Sequence, residues 1–220
     1  MSTTTSRHDS IWITDFLFYF QVIGSVVFIA SQLSTMRVSI DGISLTWFGF
    51  WFVFLSINLI LSFQSMRAMR TRLSTQTFII YCIWSASMGL VLVALLLFGG
   101  RWTAFDTVTS LITLFGILCS IGVAKFKKIP VIDPLVQASF AVFCKGVPQL
   151  TLALMIMLHG GSGLSPYVVG LGHMTITMRL TQVWYASLSE GWDRYKVGIV
   201  IGESANFGTW IVVTIVWFLF

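Results

Sequence analysis

The sequence predicts an all-α membrane protein: seven transmembrane helices in two parallel three-helix bundles joined by a linker helix. Three observations predict this. The 220 residues are 56% hydrophobic and only 10% charged, with a mean hydropathy of +0.89, whereas about a quarter of the residues in an ordinary soluble domain are charged. Seven segments are each long enough to cross a hydrocarbon core of about 30 Å. A weak internal repeat relates the first three segments to the last three.

The spans run in order over residues 11–33, 45–66, 78–98, 107–124, 134–158, 166–188 and 197–220. Residues 1–10 read as a short solvated tail, 11–98 as the first three-helix repeat, 99–128 as the linker helix with its loops, and 129–220 as the second repeat. The connections are too short for any extramembrane domain. The tail "MSTTTSRHDS" lacks the basic-then-apolar order of a cleaved signal peptide. Nineteen phenylalanines and nine tryptophans suit a lipid-facing surface with aromatic belts. Cys82, Cys119 and Cys144 fall in apolar stretches without metal spacing and read as small buried hydrophobes.

An odd number of spans puts the two ends on opposite sides. Arg7, Arg67, Arg70, Arg72, Lys125, Lys127, Lys128, Arg194 and Lys196 share the side of the N-terminus; Arg37 and Arg101 lie on the other. This bias places the N-terminus in the cytoplasm and the C-terminus outside. The cations flank apolar segments, so the net charge of +5 marks topology and lipid contact rather than nucleic acid.

The repeat rests on three ordered matches. "SQL" at 31–33 pairs with "PQL" at 148–150, "GIS" at 42–44 with "GLS" at 163–165, and "SASMG" at 85–89 with "SANFG" at 204–208, at offsets of 117, 121 and 119. One helix separates the halves, so both run the same way through the membrane. Folds with parallel repeats hold substrate near the midplane between the halves.

A Pro-Gln dipeptide within a helix, a short loop, and Gly-hydrophobic-Ser opening the next helix, in a 3+1+3 arrangement, resemble the PQ-loop superfamily. That group includes the SWEET sugar facilitators, lysosomal cystine and cationic amino-acid exporters, and the KDEL receptor, with the nicotinamide riboside carriers as relatives in fold. The resemblance spans nearly the whole chain on short motifs. The chain departs from the pattern in having Ser31-Gln32 in its first half, and in an orientation opposite to that usual for SWEETs. The resemblance implies a carrier of sugars, amino acids or vitamins working by alternating access. It implies a hinge at Pro148 and Gln149, with Gln32 as the stiffer counterpart, and a substrate contact at Asn206. Chemically, Pro148 removes a backbone donor and crowds the Cys144 carbonyl, Gly146 loosens the same turn, and the Gln149 amide can satisfy freed backbone groups. A static kink is the plainer account.

Three ionisable residues stand inside spans, where each costs roughly 2.5–3.5 kcal/mol and usually faces a cavity or a partner. Lys145, Arg179 and Glu203 lie about 16, 13 and 9 Å from the cytoplasmic end at 1.5 Å per residue, so they can meet. Across the repeat they correspond to Phe28, Asn58 and Trp84, and Asn206 to Ser87. A cavity between the halves would thus set an aromatic and amide wall, with Asn58 and Trp84, against a cationic one. Arg179 and Glu203 can alternatively form a buried ion pair locking two helices, and Glu203 is also a candidate proton carrier. One acid cannot neutralise both bases, which points to an anionic or carboxylate-bearing solute; a lysine held neutral by burial is the competing account. His173 reads as a packed ring, and Trp47, Trp51, Trp184 and Trp210 as core or belt residues. Asp15 and Gln21 read as interfacial.

The expected function is therefore transport of a small polar solute. The alternative is a ligand-binding or sorting receptor of the same fold, against which the end of the chain at "VWFLF" weighs, because it offers no recruitment tail. An intramembrane lysine also admits a retinal Schiff base, but Lys145 lies in the fifth span rather than the last. No metal cluster, nucleophile–base pair or phosphate loop suggests an enzyme, and no cofactor is expected. The partners expected are the solute, the bilayer and, if the chain self-associates, a second copy of itself.

Overall fold

The computed structural model describes residues 3–70, 72–131 and 133–220. Among them the chain is all-helical, with seven long helices: α1 (Thr3–Met36), α2 (Leu45–Met69), α3 (Arg72–Leu97), α4 (Ala104–Phe126), α5 (Pro134–His159), α6 (Pro166–Glu190) and α7 (Arg194–Leu219). Helix α1 already begins at Thr3, within the segment expected as a tail, while Met1 and Ser2 lie outside the described residues.

Local chemistry sets the helix ends. The Ser44 hydroxyl caps α2 by accepting from the Trp47 amide. Thr103 and Asp106 form a reciprocal capping box on α4. Asp133 caps α5 with Pro134 in its first turn, and Asp193 caps α7 by accepting from the Lys196 amide at 2.8 Å. At the other end of α2, Arg70 takes a left-handed conformation and its amide returns to the Met66 carbonyl.

Six of the helices are long and apolar enough to cross a bilayer: Asp15–Met36, Leu45–Gln64, Thr75–Leu97, Ala104–Phe126, Pro134–His159 and Arg194–Leu219. Their outward faces are correspondingly apolar, with Leu97, Phe115 and Phe218 at least 70% exposed. These features define an integral membrane protein. Helix α6 has the length, 25 residues, but Thr175, Thr177, Arg179, Thr181 and Gln182 crowd two of its turns and leave it less apolar than those six.

Helix α3 packs along both α1 and α2, and α7 along both α5 and α6. Across the middle, α1 meets α6, and α2 meets α5; α4 leans on α5. Helices α5 and α7 approach closely because Gly198 and Gly202 face Pro134 and Ala141. A Cβ on Gly198 would stand 2.6 Å from the Pro134 carbonyl oxygen, and one on Gly202 would stand 3.1 Å from the Ala141 Cβ. Small residues four apart allow this backbone approach.

Helix α5 is not uniform. Residues Val142–Gly146 form a π-turn that ends two residues before Pro148. Proline supplies no N–H and its ring collides with the carbonyl four residues back, so a wider turn relieves the crowding at Cys144. The Thr113 hydroxyl of α4 donates to the Phe143 carbonyl at 3.4 Å, a long bond to one of the loosened groups. Lys145 lies within this turn.

At the end where α1 finishes, the two "Gly-hydrophobic-Ser" loops lie against each other. Gly42 has φ 74°, open to glycine at little cost, and a Cβ there would strike the Gly160 carbonyl oxygen at 2.0 Å. The Gly163 amide donates to the Asp41 carbonyl at 3.1 Å. Gln32 clamps the junction: its amide donates to the Gly163 carbonyl at 2.8 Å and accepts from the Ser165 amide at 3.2 Å.

Candidate functional site

Below that junction the interior is aromatic, then charged. Trp47 of α2 stacks on Trp210 of α7, with centroids 5.6 Å apart and planes at 21°, and the Trp210 indole donates to the Val169 carbonyl at 3.1 Å. One turn further along α2, Trp51 stacks on Trp84 at 6.0 Å, and Phe28 meets both edge-on. Trp51 and Trp84 line one end of a cavity of about 120 Å³, and Trp47 stands one turn beyond Trp51 along α2. The cavity's other end is lined by Phe18, Gln76 and Gln182, toward the side from which α1 and α3 start and at which α6 ends.

The charged groups on this wall are Lys145, Arg179 and Glu203. Lys145 Nζ stands 3.0 Å from Glu203 Oε1, with the two side chains 10% and 18% exposed. The same ammonium lies 4.7 Å from the centre of the Phe54 ring, a cation–π contact from α2. Glu203 Oε2 accepts from Asn206 Nδ2 at 2.9 Å, and Asn206 Oδ1 accepts from Gln149 Nε2 at 2.8 Å. The Thr209 hydroxyl completes the chain by donating to Gln149 Oε1. A charged pair is thus wired by side-chain amides to the residue beside Pro148, and each donor in the chain points at an acceptor.

Arg179 takes no part in this chain. Its guanidinium donates to Gln182 Oε1 at 2.8 Å, one turn along α6, and neighbours Tyr81 and Tyr195. Among the described residues no carboxylate forms a salt bridge with it, and Glu203's salt-bridge partner is Lys145 rather than Arg179. The locking pair anticipated between α6 and α7 therefore runs between α5 and α7. The reason is the π-turn, which places the Lys145 amine against Glu203. Arg179 and Glu203 also form part of the wall of a second chamber of about 70 Å³, bounded by Asn58, Tyr81 and Gln137.

Of the residues expected at the site, Lys145, Arg179, Glu203, Asn206 and Trp84 line one cavity. Asn58 lines only the adjoining chamber, and its amide donates to the Phe54 carbonyl of its own helix at 2.8 Å. The Gln149 side chain bonds to Asn206 and Thr209 of α7 rather than to the backbone loosened by Pro148. Gln32 bonds across the molecule to the loop before α6. The two glutamines of the repeat thus serve unlike ends. His173 is packed: it meets Phe207 edge-on at 5.5 Å and hydrogen-bonds the Thr214 hydroxyl. Trp184 is 57% exposed, as a belt residue would be, whereas Gln21 turns to the cavity instead of the interface.

Sequence reading did not find Phe54, Tyr81 or Gln76 at the site, because aromatic and amide residues carry no signal of their own in so apolar a chain. Gln76 donates to Asp15 at 2.8 Å, tying the cavity mouth to α1. Comparison with protein-family models, curated proteins and solved structures returned no match.

Proposed function

We propose that this chain is a membrane carrier for a small carboxylate-bearing solute, working by alternating access between two three-helix bundles of the PQ-loop and SWEET-like kind. In this reading α1–α3 and α5–α7 are the bundles, α4 is the linker, and α6 crosses the bilayer as the seventh span. The polar residues of α6 are tolerated because it has α1 and α7 as neighbours and turns Arg179 to the cavity. The N-terminus is cytoplasmic, so the cavity leads toward the cytoplasm and the Trp47–Trp210 stack is the outer closure.

The observation that carries the proposal is the cavity itself. It lies between helices of both proposed halves, has stacked indoles and the Gln32 clamp toward one end, and presents two cations and one carboxylate on its wall. Intramembrane ionisable residues facing a cavity mark solute or ion paths. Lys145 and Arg179 offer donors to an anion, while Asn206 and the Trp84 ring offer neutral contacts.

Uptake of a panel of sugars, amino acids and carboxylates into liposomes containing the purified protein, with and without a pH gradient, tests this reading. A carboxylate is expected to enter, and Lys145→Ala to slow it by about ten- to a hundred-fold, from the loss of a charged hydrogen bond of roughly 1.5–3 kcal/mol. Equal uptake by wild type and Lys145→Ala would rule out the anion site.

A further inference from the structure

We infer that the carrier works as an obligatory exchanger of monoanions rather than as a uniporter. The inference rests on the transport reading above and adds its mode. It follows from the charge of the cavity wall in its two occupancy states.

The charged side chains on the walls of the main cavity are Lys145, Arg179 and Glu203, and those of the adjoining chamber are Arg179 and Glu203 again. Asp15 accepts a hydrogen bond from Gln76 at 2.8 Å and lines neither wall. Lys145 and Glu203 cancel at 3.0 Å. Arg179 hydrogen-bonds Gln182 and lies near Tyr81, Tyr195 and Glu203, but that carboxylate is already in a salt bridge with Lys145, and among the described residues none forms one with Arg179. The empty site therefore carries one net positive charge, and with a monocarboxylate bound it carries none.

Reorientation in an alternating-access cycle requires the site to pass through a closed, dehydrated form. A net charge sealed in a low-dielectric interior is penalised, whereas a neutral cluster of paired ions is penalised far less. The occupied carrier can close and turn over. The empty carrier, left with the Arg179 charge, is trapped with its cavity open to water. A neutral solute would leave that charge in place and would not release the trap, and a dianion would overshoot to a net negative site. Only a monoanion balances the site, and the anion must be replaced by another before the carrier can return.

The test uses the full-length protein in liposomes, with valinomycin and equal potassium on both sides so that charge build-up does not limit flux. Labelled lactate, nicotinate and gluconate are each offered to empty liposomes and to liposomes preloaded with the same unlabelled anion. Entry into preloaded liposomes is expected to be at least about tenfold faster, the rate equivalent of roughly 1.4 kcal/mol. Arg179→Gln is expected to carry little monoanion into empty or preloaded liposomes, because its occupied site would hold one net negative charge. Arg179→Lys should keep the wild-type ratio. Equal rates into empty and preloaded liposomes with wild type would overturn the exchange mode and leave the transport reading intact. No entry under either condition, for any of the three anions, would overturn the transport reading and the exchange mode together. Monoanion flux through Arg179→Gln as fast as through wild type would overturn the exchange mode.

Discussion

Lys145 and Glu203 form an ion pair of 3.0 Å between α5 and α7, and Lys145 reaches it from within a π-turn that Pro148 brings about. Helix breaker and charge are one construction. Without the widened turn the lysine would lie elsewhere on the face of α5.

The pair should be costly to halve and cheap to remove. Glu203→Gln leaves the Lys145 charge in an interior with little water, and Lys145→Ala strands the carboxylate. Each is expected to destabilise the protein by about 3–5 kcal/mol. The double variant Lys145→Met with Glu203→Leu should recover most of the melting temperature in detergent while its carboxylate uptake stays slowed, as in Lys145→Ala. A double variant no more stable than the singles would mean that the pair is not isolated by burial.

Pro148→Ala restores an N–H that can donate to the Cys144 carbonyl, so the π-turn can relax to α-helix. Losing the extra residue turns one part of α5 against the other by about 100°. The contacts of Lys145 with Glu203 and of Gln149 with Asn206 then cannot both be kept. Uptake should fall at least about fivefold while the melting temperature holds or rises, since a proline inside a helix costs about 3 kcal/mol. An unchanged rate would show that the turn is a static kink.

Gln32→Ala deprives the Gly163 carbonyl and the Ser165 amide of their partner and should loosen the closure at that end of the cavity. The reporter is a cysteine at Leu164, which is 2% exposed, in a background lacking the three native cysteines. Labelling by a membrane-impermeant maleimide should rise about tenfold with Gln32→Ala, the effect of losing one or two buried hydrogen bonds. Gln149→Ala should leave it unchanged, because Gln149 bonds within α5 and α7. Equal effects from both glutamines would contradict the division of labour between them.

The helices were largely legible in the sequence because apolar length and flanking charge are what a bilayer selects. The exception is α6, where Arg179 and its threonines lower the hydropathy that would mark a span. The repeat motifs pointed to Gln32 and Gln149 as equivalents, yet side-chain hydrogen bonds depend on what lies opposite. Gln149 faces Asn206 and Thr209, while the corresponding face of Gln32 meets the loop at Gly163 and Ser165. The charged trio was found from its cost in lipid, but not its pairing, since a shift of one residue in the π-turn decides which base meets Glu203. Asp106 escaped notice because an acid at a helix start looks like an ordinary cap.

Asp106 is in fact fully buried and accepts five hydrogen bonds from two helix ends. Its Oδ1 takes the Ser44 hydroxyl at 2.9 Å, the Thr46 amide at 3.0 Å and the Thr46 hydroxyl at 2.9 Å. Its Oδ2 takes the Thr103 amide at 2.9 Å and the Thr103 hydroxyl at 2.7 Å. The first turns of α2 and α4 thus point their free amides and the positive ends of their dipoles at one carboxylate. Asparagine keeps the shape, but its amino group must face donors on one side or the other, so Asp106→Asn should cost about 2–3 kcal/mol. Asp106→Ala leaves all five donors without their acceptor and should cost more, about 3–5 kcal/mol, in the range reserved for broken buried networks. Asp106 does not line the cavity, so transport per folded molecule should be unaffected in both variants. Melting temperature against specific uptake separates the two effects. A variant that kept its stability but lost transport would move Asp106 from a brace between α2 and α4 into the proposed transport cycle.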